Sequence, residues 1–280
     1  MILIADSGSS KADWVLSTSA RKIEFRTSGI NPFFVSEKDI IKVFHNTSEI
    51  QPYLNLVKEI YFFGSGCSSP DRRELISNAL SKVFKNAFIS VENDLTGSVY
   101  ATCGSSAGLS CILGTGSNIT YFDGVKITNG KHGLGYILGD EGSGTYFGRK
   151  LITSFLYGTM PDDLQLVFDK TYGINKEIII KEVYQKPAPN SYLASFAKFM
   201  SNHKEHPFIQ NLLRQGFEEF VTTDIMSYSN YKNHTCHFVG SIAFHFQDVL
   251  KEVCLKYEVS VGKILKHPIE ELSRFILSKN

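Results

Sequence analysis

Ile2-Leu3-Ile4-Ala5-Asp6-Ser7-Gly8-Ser9-Ser10-Lys11-Ala12-Asp13-Trp14-Val15-Leu16 opens the chain after Met1. Its first four residues form an apolar strand pattern, Trp14-Val15-Leu16 a second one, and the small, hydroxyl-rich stretch between them reads as the turn of a hairpin. Gly8 can take positive φ and lets a ligand approach the backbone, while Ser9 and Ser10 add hydroxyl donors to the exposed amides of the turn. Such a turn suits phosphate. Asp6, at the end of a buried strand, suits Mg²⁺ or a water on Mg²⁺ better than it suits the phosphate itself. One Gly-Ser turn taken alone is equally an ordinary polar hairpin turn.

The pattern occurs twice. Ser110-Cys111-Ile112-Leu113 leads into Gly114-Thr115-Gly116-Ser117-Asn118 and then Ile119-Thr120-Tyr121-Phe122, with a turn at Asp123-Gly124. Matching Gly116 to Gly8 gives a separation of 108 residues. An internal repeat of that length predicts two similar domains, each with a phosphate turn, closing on one triphosphate from opposite sides.

Between the repeats, Ser28-Gly29-Ile30-Asn31-Pro32 is a turn in which Asn31 serves either turn chemistry or a ligand. Residues 39–50 read as a helix. Glu59-Ile60-Tyr61-Phe62-Phe63 reads as a buried strand that stops at Gly64-Ser65-Gly66-Cys67. Ser69 and Pro70 then open a helix carrying Leu75, Ile76, Ala79, Leu80, Val83 and Phe84 at helical spacing, and a strand follows from Ala87 to Val91. This order predicts a βαβ crossover, whose ligands lie beyond the carboxyl ends of the strands. Asp94, past the third strand and at the head of a short helix from Leu95 to Cys103, is either a helix N-cap or a carboxylate free to take a proton from a substrate hydroxyl.

After the second hairpin, Gly133, Gly135, Gly139, Gly142 and Gly144 crowd around Asp140 and Glu141. Glycines at that density cost backbone entropy and point to a tight turn or a close ligand. Asp140 is placed to accept hydrogen bonds from sugar or alcohol hydroxyls, and Glu141 to cap a helix beginning near Ser143. Residues 158–190 carry little signal beyond a loop at Lys186–Asn190; helical patterns run from Tyr192 to Met200 and from Phe208 to about Tyr228. His237-Phe238-Val239, Gly240-Ser241 and the apolar spacing from Ile242 make a third strand–glycine–helix junction, whose amides suit a nucleotide. A last helix spans Ile269 to Leu277.

The 280 residues suffice for two medium domains. Lys+Arg 29 against Asp+Glu 28 leaves a net charge of +1, so no global field attracts nucleic acid or an acidic membrane, and a small ligand is the default. Cys67, Cys103, Cys111, Cys236 and Cys254 are odd in number, scattered and without a Cys-x-x-Cys pair, which fits a reducing compartment. With no apolar run near membrane-span length and no basic leader, a cytoplasmic protein is expected.

Asp6 to Lys11, Leu113 to Ser117, Leu138 to Ser143 and Val239 to Ser241, in this order over nearly the whole chain, resemble the N-acetylglucosamine kinase branch of the BadF/BadG/BcrA/BcrD ATPase family, within the actin, hexokinase and heat-shock-chaperone ATPase superfamily. The resemblance implies an α/β protein of two ribonuclease H-like domains, 1–106 and 107–266, with the C-terminal segment 267–280 packing back on the first and a nucleotide cleft between them. It implies ATP and Mg²⁺ as cofactors and an amino sugar as substrate, with no nucleic acid and no membrane; a homodimer is compatible with it. By motif, Gly8, Ser9, Ser10 and Lys11 match the first phosphate loop, Gly114, Thr115, Gly116 and Ser117 the second, and Gly240 and Ser241 the adenosine-side turn. Asp6 matches the Mg²⁺-side acid and Asp94 the catalytic base acting on a sugar 6-hydroxyl, while Asn31, Ser65, Gly66, Gly116 and Asp140 match sugar contacts. Two departures are Ala12, where Thr is common, and Leu134, where Trp is frequent. A partner-driven ATPase of the 2-hydroxyacyl-CoA dehydratase activator type is the alternative within the wider family, with Cys103 and Cys111 as its cluster candidates; a sugar sensor without turnover is a third reading.

Overall fold

The opening apolar run forms β1 (Ile2–Ser7), and the chain turns back through Gly8-Ser9-Ser10 into β2 (Lys11–Ser17) and again into β3 (Lys22–Ser28). In this computed structural model, which describes residues 1–128 and 133–279, there follow α1 (Glu37–His45), β4 (Glu59–Gly64), α2 (Pro70–Val83), β5 (Phe88–Asn93) and α3 (Asp94–Thr102). The five strands form one sheet in the order β3-β2-β1-β4-β5, antiparallel across the two hairpins and parallel from β1 through β4 to β5. The predicted βαβ unit is therefore present. Strand β3 escapes a periodicity reading because it is an edge strand with only Phe25 buried. Helix α1 is shorter than the expected 39–50: a capping box of Ser36 and Asp39 starts it at Glu37, it ends at Asn46, and a separate 3₁₀ turn, Gln51–Tyr53, carries Pro52. Trp14 centres the core, stacked on Phe25 (5.9 Å between centroids) and edge-on to Phe44 (5.1 Å).

The second half repeats the plan. Its elements begin with β6 (Gly108–Leu113), β7 (Ser117–Phe122), β8 (Ile127–Thr128), the one-turn α4 (Gly135–Leu138) and α5 (Gly144–Leu156). A helical stretch follows, α6 (Asp162–Tyr172), α7 (Lys176–Tyr184), α8 (Pro189–Ser195), α9 (Ala197–Asn202) and α10 (Pro207–Thr223). The chain returns to the sheet with β9 (Thr235–Val239), α11 (Ser241–His245), α12 (Gln247–Lys256) and β10 (Ser260–Leu265), then ends in α13 (Ile269–Leu277). The second sheet has the order β10-β9-β6-β7-β8, the first sheet's order element for element read from its other edge, with the same parallel and antiparallel neighbours.

The chain divides into two compact units: Met1–Ser105 together with the segment that starts at His267, and Ser106–Lys266. In the first, α13 buries Leu272, Ser273 and Ile276 against α3, β1 and β2, and Phe275 stacks on Tyr100 at 4.7 Å. In the second, α5 and α10 bring Phe147 and Phe217 edge to face (5.6 Å), and Phe168, Phe196 and Phe199 from α6 to α9 form an aromatic cluster beside them.

Candidate active site

In the first unit the parallel strands β1, β4 and β5 end at one edge, and each delivers a polar group there. Pairing of Ser7 with Gly64 and of Gly64 with Asn93 aligns the three ends, so Asp6, Ser65 and Asp94 converge. Asn93, and not Asp94, is the N-cap of α3: its Oδ1 accepts from the Thr96 amide at 2.8 Å. That releases Asp94 from capping duty. Its Oδ2 accepts from Ser65 Oγ at 2.5 Å and its Oδ1 from the Leu95 amide at 3.0 Å, which orient the carboxylate and leave a lone pair on each oxygen. Burial pushes Asp94 above the usual carboxylate range, against those two hydrogen bonds, which favour its charged form.

Asp6 lies directly across the hairpin from Asp13. Burial, first, and then the carboxylates of Asp94 and Asp13 push Asp6 up to about 7, with Lys11 opposing them. Asp13 is held by Arg26 Nε at 2.5 Å and by His267 Nδ1 at 3.3 Å.

The turn after β1 is fixed from behind. Ser7 Oγ accepts from the Ile30 amide (2.9 Å), Asn31 Nδ2 donates to Ser9 Oγ (2.7 Å), and Gly29 packs so closely on the Gly8–Ser9 backbone that any Cβ at 29 would overlap it. The Oδ1 of Asn31 accepts from the Phe33 amide (3.0 Å) and sits against Gly66, whose φ of +83° suits glycine. Asn31 is thus built into its own turn, beside the Ser65-Gly66 turn. Ser10 and Lys11 are exposed, Lys11 already being the first residue of β2.

Gly8 does not use positive φ, contrary to the sequence expectation. A Cβ there would come no closer than 3.6 Å to any protein atom, and a Cβ at Gly114 would meet nothing within 4 Å. Neither glycine is required by the protein's own packing, which leaves the space over each turn for a ligand.

In the second unit, β6 ends at Leu113 paired with Ser117, so Gly114, Thr115 and Gly116 form the turn. Strand ends match Ser7 to Leu113, 106 residues apart, and hence Gly8 to Gly114; the match of Gly8 to Gly116 at 108 residues is corrected, because the second turn is one residue tighter. Ile112 stands where Asp6 does in the first hairpin, so only the first carries the strand-end acid. The Gly114 and Thr115 carbonyls accept from the Gly144 (2.8 Å) and Thr145 (3.0 Å) amides, tying the turn to the start of α5. The cap of α5 is Ser143, whose Oγ accepts from the Tyr146 amide (3.2 Å), and not Glu141.

Asp140 has a φ of 60°, an unusual value for a residue with a side chain, and its Oδ1 accepts from the Ser117 amide at 3.2 Å. A Cβ at Gly116 would lie 2.8 Å from its Oδ2, so Gly116 makes room for this carboxylate. Burial pushes Asp140 up to about 6, opposed by the Ser117 amide. Gly240, at φ 120°, packs against the Leu113 carbonyl and the Gly114 amide, which brings the Gly240-Ser241 turn to the end of β6.

These turns border a pocket of about 310 Å³. Gly114, Thr115 and Gly144 line one side of it, Ala194, Ser195, Ala197, Lys198 and Ser201 of the α8–α9 segment a second, and Ser241, Ile242, His245 and Phe246 a third. The α8–α9 residues are missing from the sequence expectations because their helices read as core, with Leu193, Phe196, Phe199 and Met200 buried; the one signal was the run of small and polar residues set between those large ones. Cys103 and Cys111 are both buried, and among the described residues no group of three His, Cys, Asp or Glu side chains could hold a metal ion unaided.

A putative N-acetylglucosamine kinase from Porphyromonas gingivalis matches this structure over 98% of each chain, with 39% sequence identity and a TM-score of 0.90. The chain belongs to the family of that protein. A putative N-acetylglucosamine kinase from Chromobacterium violaceum matches over 98% of both chains at 16% identity (TM-score 0.69), and the ethanolamine utilization protein EutJ from Carboxydothermus hydrogenoformans over 98% of this chain and 88% of its own at 14% (TM-score 0.56). At such identities the likeness is one of fold. No family model and no curated protein sequence matches the chain. The family's fold is the α/β, two-domain ribonuclease H-like one, here with two five-stranded mixed sheets.

Proposed function

We propose that this protein is an ATP- and Mg²⁺-dependent sugar kinase acting on an amino sugar, N-acetylglucosamine first among them, and giving its 6-phosphate. The reading rests above all on the 39% identity, over nearly the full length of both chains, with a putative N-acetylglucosamine kinase. The order of motifs supports the narrower placement in the BadF/BadG/BcrA/BcrD family and a division into domains 1–106 with 267–280, and 107–266. Five buried free cysteines support a reducing, cytoplasmic setting.

The residues present suit the implied groups. Mg²⁺ is ordinarily held by one or two carboxylates with substrate phosphates and water completing its shell, and Asp6, pushed up to about 7 by burial and two neighbouring carboxylates, is a group that a cation would relieve. Gly8 and Gly114 leave open the space a triphosphate would fill. When bound, Mg²⁺-ATP supplies the phosphoryl group and the charge neutralisation that phosphoryl transfer needs.

Asp94, aimed by Ser65 and the Leu95 amide, accepts the sugar hydroxyl proton as that oxygen bonds to phosphorus. Asp140, set by the Ser117 amide and the gap at Gly116, accepts a hydrogen bond from a sugar hydroxyl and fixes the ring. Gly8 to Lys11 and Gly114 to Ser117 supply amides and hydroxyls to the phosphates, and Gly240-Ser241 borders the nucleoside.

The test is ADP release, with Mg²⁺-ATP, against N-acetylglucosamine, N-acetylmannosamine, glucosamine, N-acetylmuramate and glucose. Release that depends on one N-acetylated sugar is expected. Release indifferent to every sugar would replace the kinase by a partner-driven ATPase.

A further inference from the structure

We propose that the pocket between the second turn, the α8–α9 segment and α11 is a base-tolerant donor site, which takes adenine or guanine on ribose or deoxyribose as phosphoryl donors of similar efficiency. The inference deepens the kinase reading and rests on it. Three observations carry it.

The parts of the pocket that are withdrawn from water are apolar or backbone: Gly144, Ala197, Ile242 and Phe246 are buried. Such surfaces reward any flat base by burial and do not read its edge. An apolar pocket separates close analogues by only about 10–200-fold, whereas sites that bury a hydrogen-bonding group against the substrate reach about 10⁴ or more, because the wrong ligand leaves that group unpaired.

The polar side chains around the pocket are not buried in that way. Ser195, Lys198 and His245 are exposed, and Thr115, Ser201 and Ser241 are half-exposed. Each can turn to water when a donor lacks its partner, so an amino group exchanged for a carbonyl, or a missing 2′-hydroxyl, costs little.

The third observation is charge. The lining holds Lys198 and no carboxylate, so nothing in it grips a ribose diol by paired acceptor oxygens, while the Lys198 ammonium favours the anionic part that all nucleoside triphosphates share. Transfer is the same whichever base is bound: the bond from the acceptor oxygen to the γ-phosphorus forms, the bond to the β-phosphate oxygen breaks, the acceptor proton passes to Asp94, and nucleoside diphosphate leaves.

The experiment has a kinetic and a binding arm. With the full-length protein and a saturating acceptor sugar, kcat/KM is measured for ATP, dATP and GTP; in parallel, calorimetry with Mg²⁺ gives the affinities of ADP, dADP and GDP, which need no turnover. Values within about tenfold across each set are expected. A preference of more than about tenfold for the adenine ribonucleotide in either arm overturns the proposal, as does failure of all three diphosphates to bind. Tolerant binding without transfer to any sugar upholds the donor site and overturns the kinase reading instead. In Lys198→Met, an exposed change that leaves the core intact, the KM for ATP and GTP should rise in parallel by about tenfold, with the acceptor KM unmoved and recovery in Lys198→Arg. A rise confined to ATP would mean that Lys198 reads the base, contrary to the proposal.

Discussion

Asp94 and Asn93 divide two jobs that either residue type performs elsewhere: Asn93 caps α3, and Asp94 is left with lone pairs at the edge of the sheet. Asp94→Asn keeps the shape and the Leu95 contact but cannot take a proton. Its kcat should fall by about 10²–10⁴-fold while ADP binding, read by calorimetry, stays within a few-fold of the parent. Asp6 makes a prediction about pH. Its folded value of about 7 lies above the ordinary 3.8, so between those values the folded protein holds a proton that the unfolded chain has released. Stability that is complete below about pH 4 is therefore lost as pH rises towards 7, and levels off above it. Without Mg²⁺ and nucleotide, Asp6→Asn should melt above the parent, by a margin that widens between about pH 4 and 7 and is constant beyond. A margin independent of pH would show that Asp6 is not the group responsible. At this scale the acids were legible in the sequence, because an acid after an apolar strand stands out. The division of labour between Asn93 and Asp94 was not, since a one-residue shift of a helix start is below what spacing can resolve.

The elements that could not be read are those whose packing does not depend on periodicity. β3 is an exposed edge, and α6 and α7 bury only Leu164 and Phe168 between them, too few for a clean apolar stripe. Within the second unit, α8 is fixed on α5 by a close approach at Gly148. A Cβ at that position would fall on the Leu193 carbonyl, so α5 and α8 touch backbone to backbone, and Gly144 meets Ala194 one turn earlier. Gly148→Ala should cost about 3 kcal/mol in urea unfolding, at the upper end for overpacking, because backbone rather than a pliable side chain must move. Since α8 also lines the pocket proposed for the donor, the surviving folded protein should bind ADP more weakly. By contrast, α13 was legible from residues alone, its buried Leu272 and Ile276 lying on one face with acids in the first turn and Arg274 in the last.

For the molecule as a whole, duplication was the most legible feature, because two turns of the same chemistry lie between strands of the same kind. The offset was misjudged by reading Gly-Ser against Gly-Ser, where the strand register matches Gly8 to Gly114. Duplication also makes a prediction, since both glycines have room for a methyl group. Gly8→Ala and Gly114→Ala should each melt within about 2 °C of the parent and yet raise the KM for ATP by about tenfold or more, the loss of one or two hydrogen bonds. A matching fall in melting temperature would instead assign the glycines to folding. The fold alone does not name the reaction: EutJ shares it at 14% identity, and what distinguishes this chain is the set of groups mounted on the sheet edges.

The return of the chain to its first unit has a consequence for synthesis. The second unit is one uninterrupted stretch, Ser106–Lys266, and every contact it needs within itself is available once that stretch has emerged from the ribosome. The first unit begins before that stretch and is completed after it, because α13 covers β1, β2 and α3. Translation therefore delivers the unit that starts first in a state that finishes second, with the apolar surface that Leu272 and Ile276 later cover left bare while all of Ser106–Lys266 is made. A nascent chain stalled before His267 is the form of this protein that a chaperone has most reason to hold.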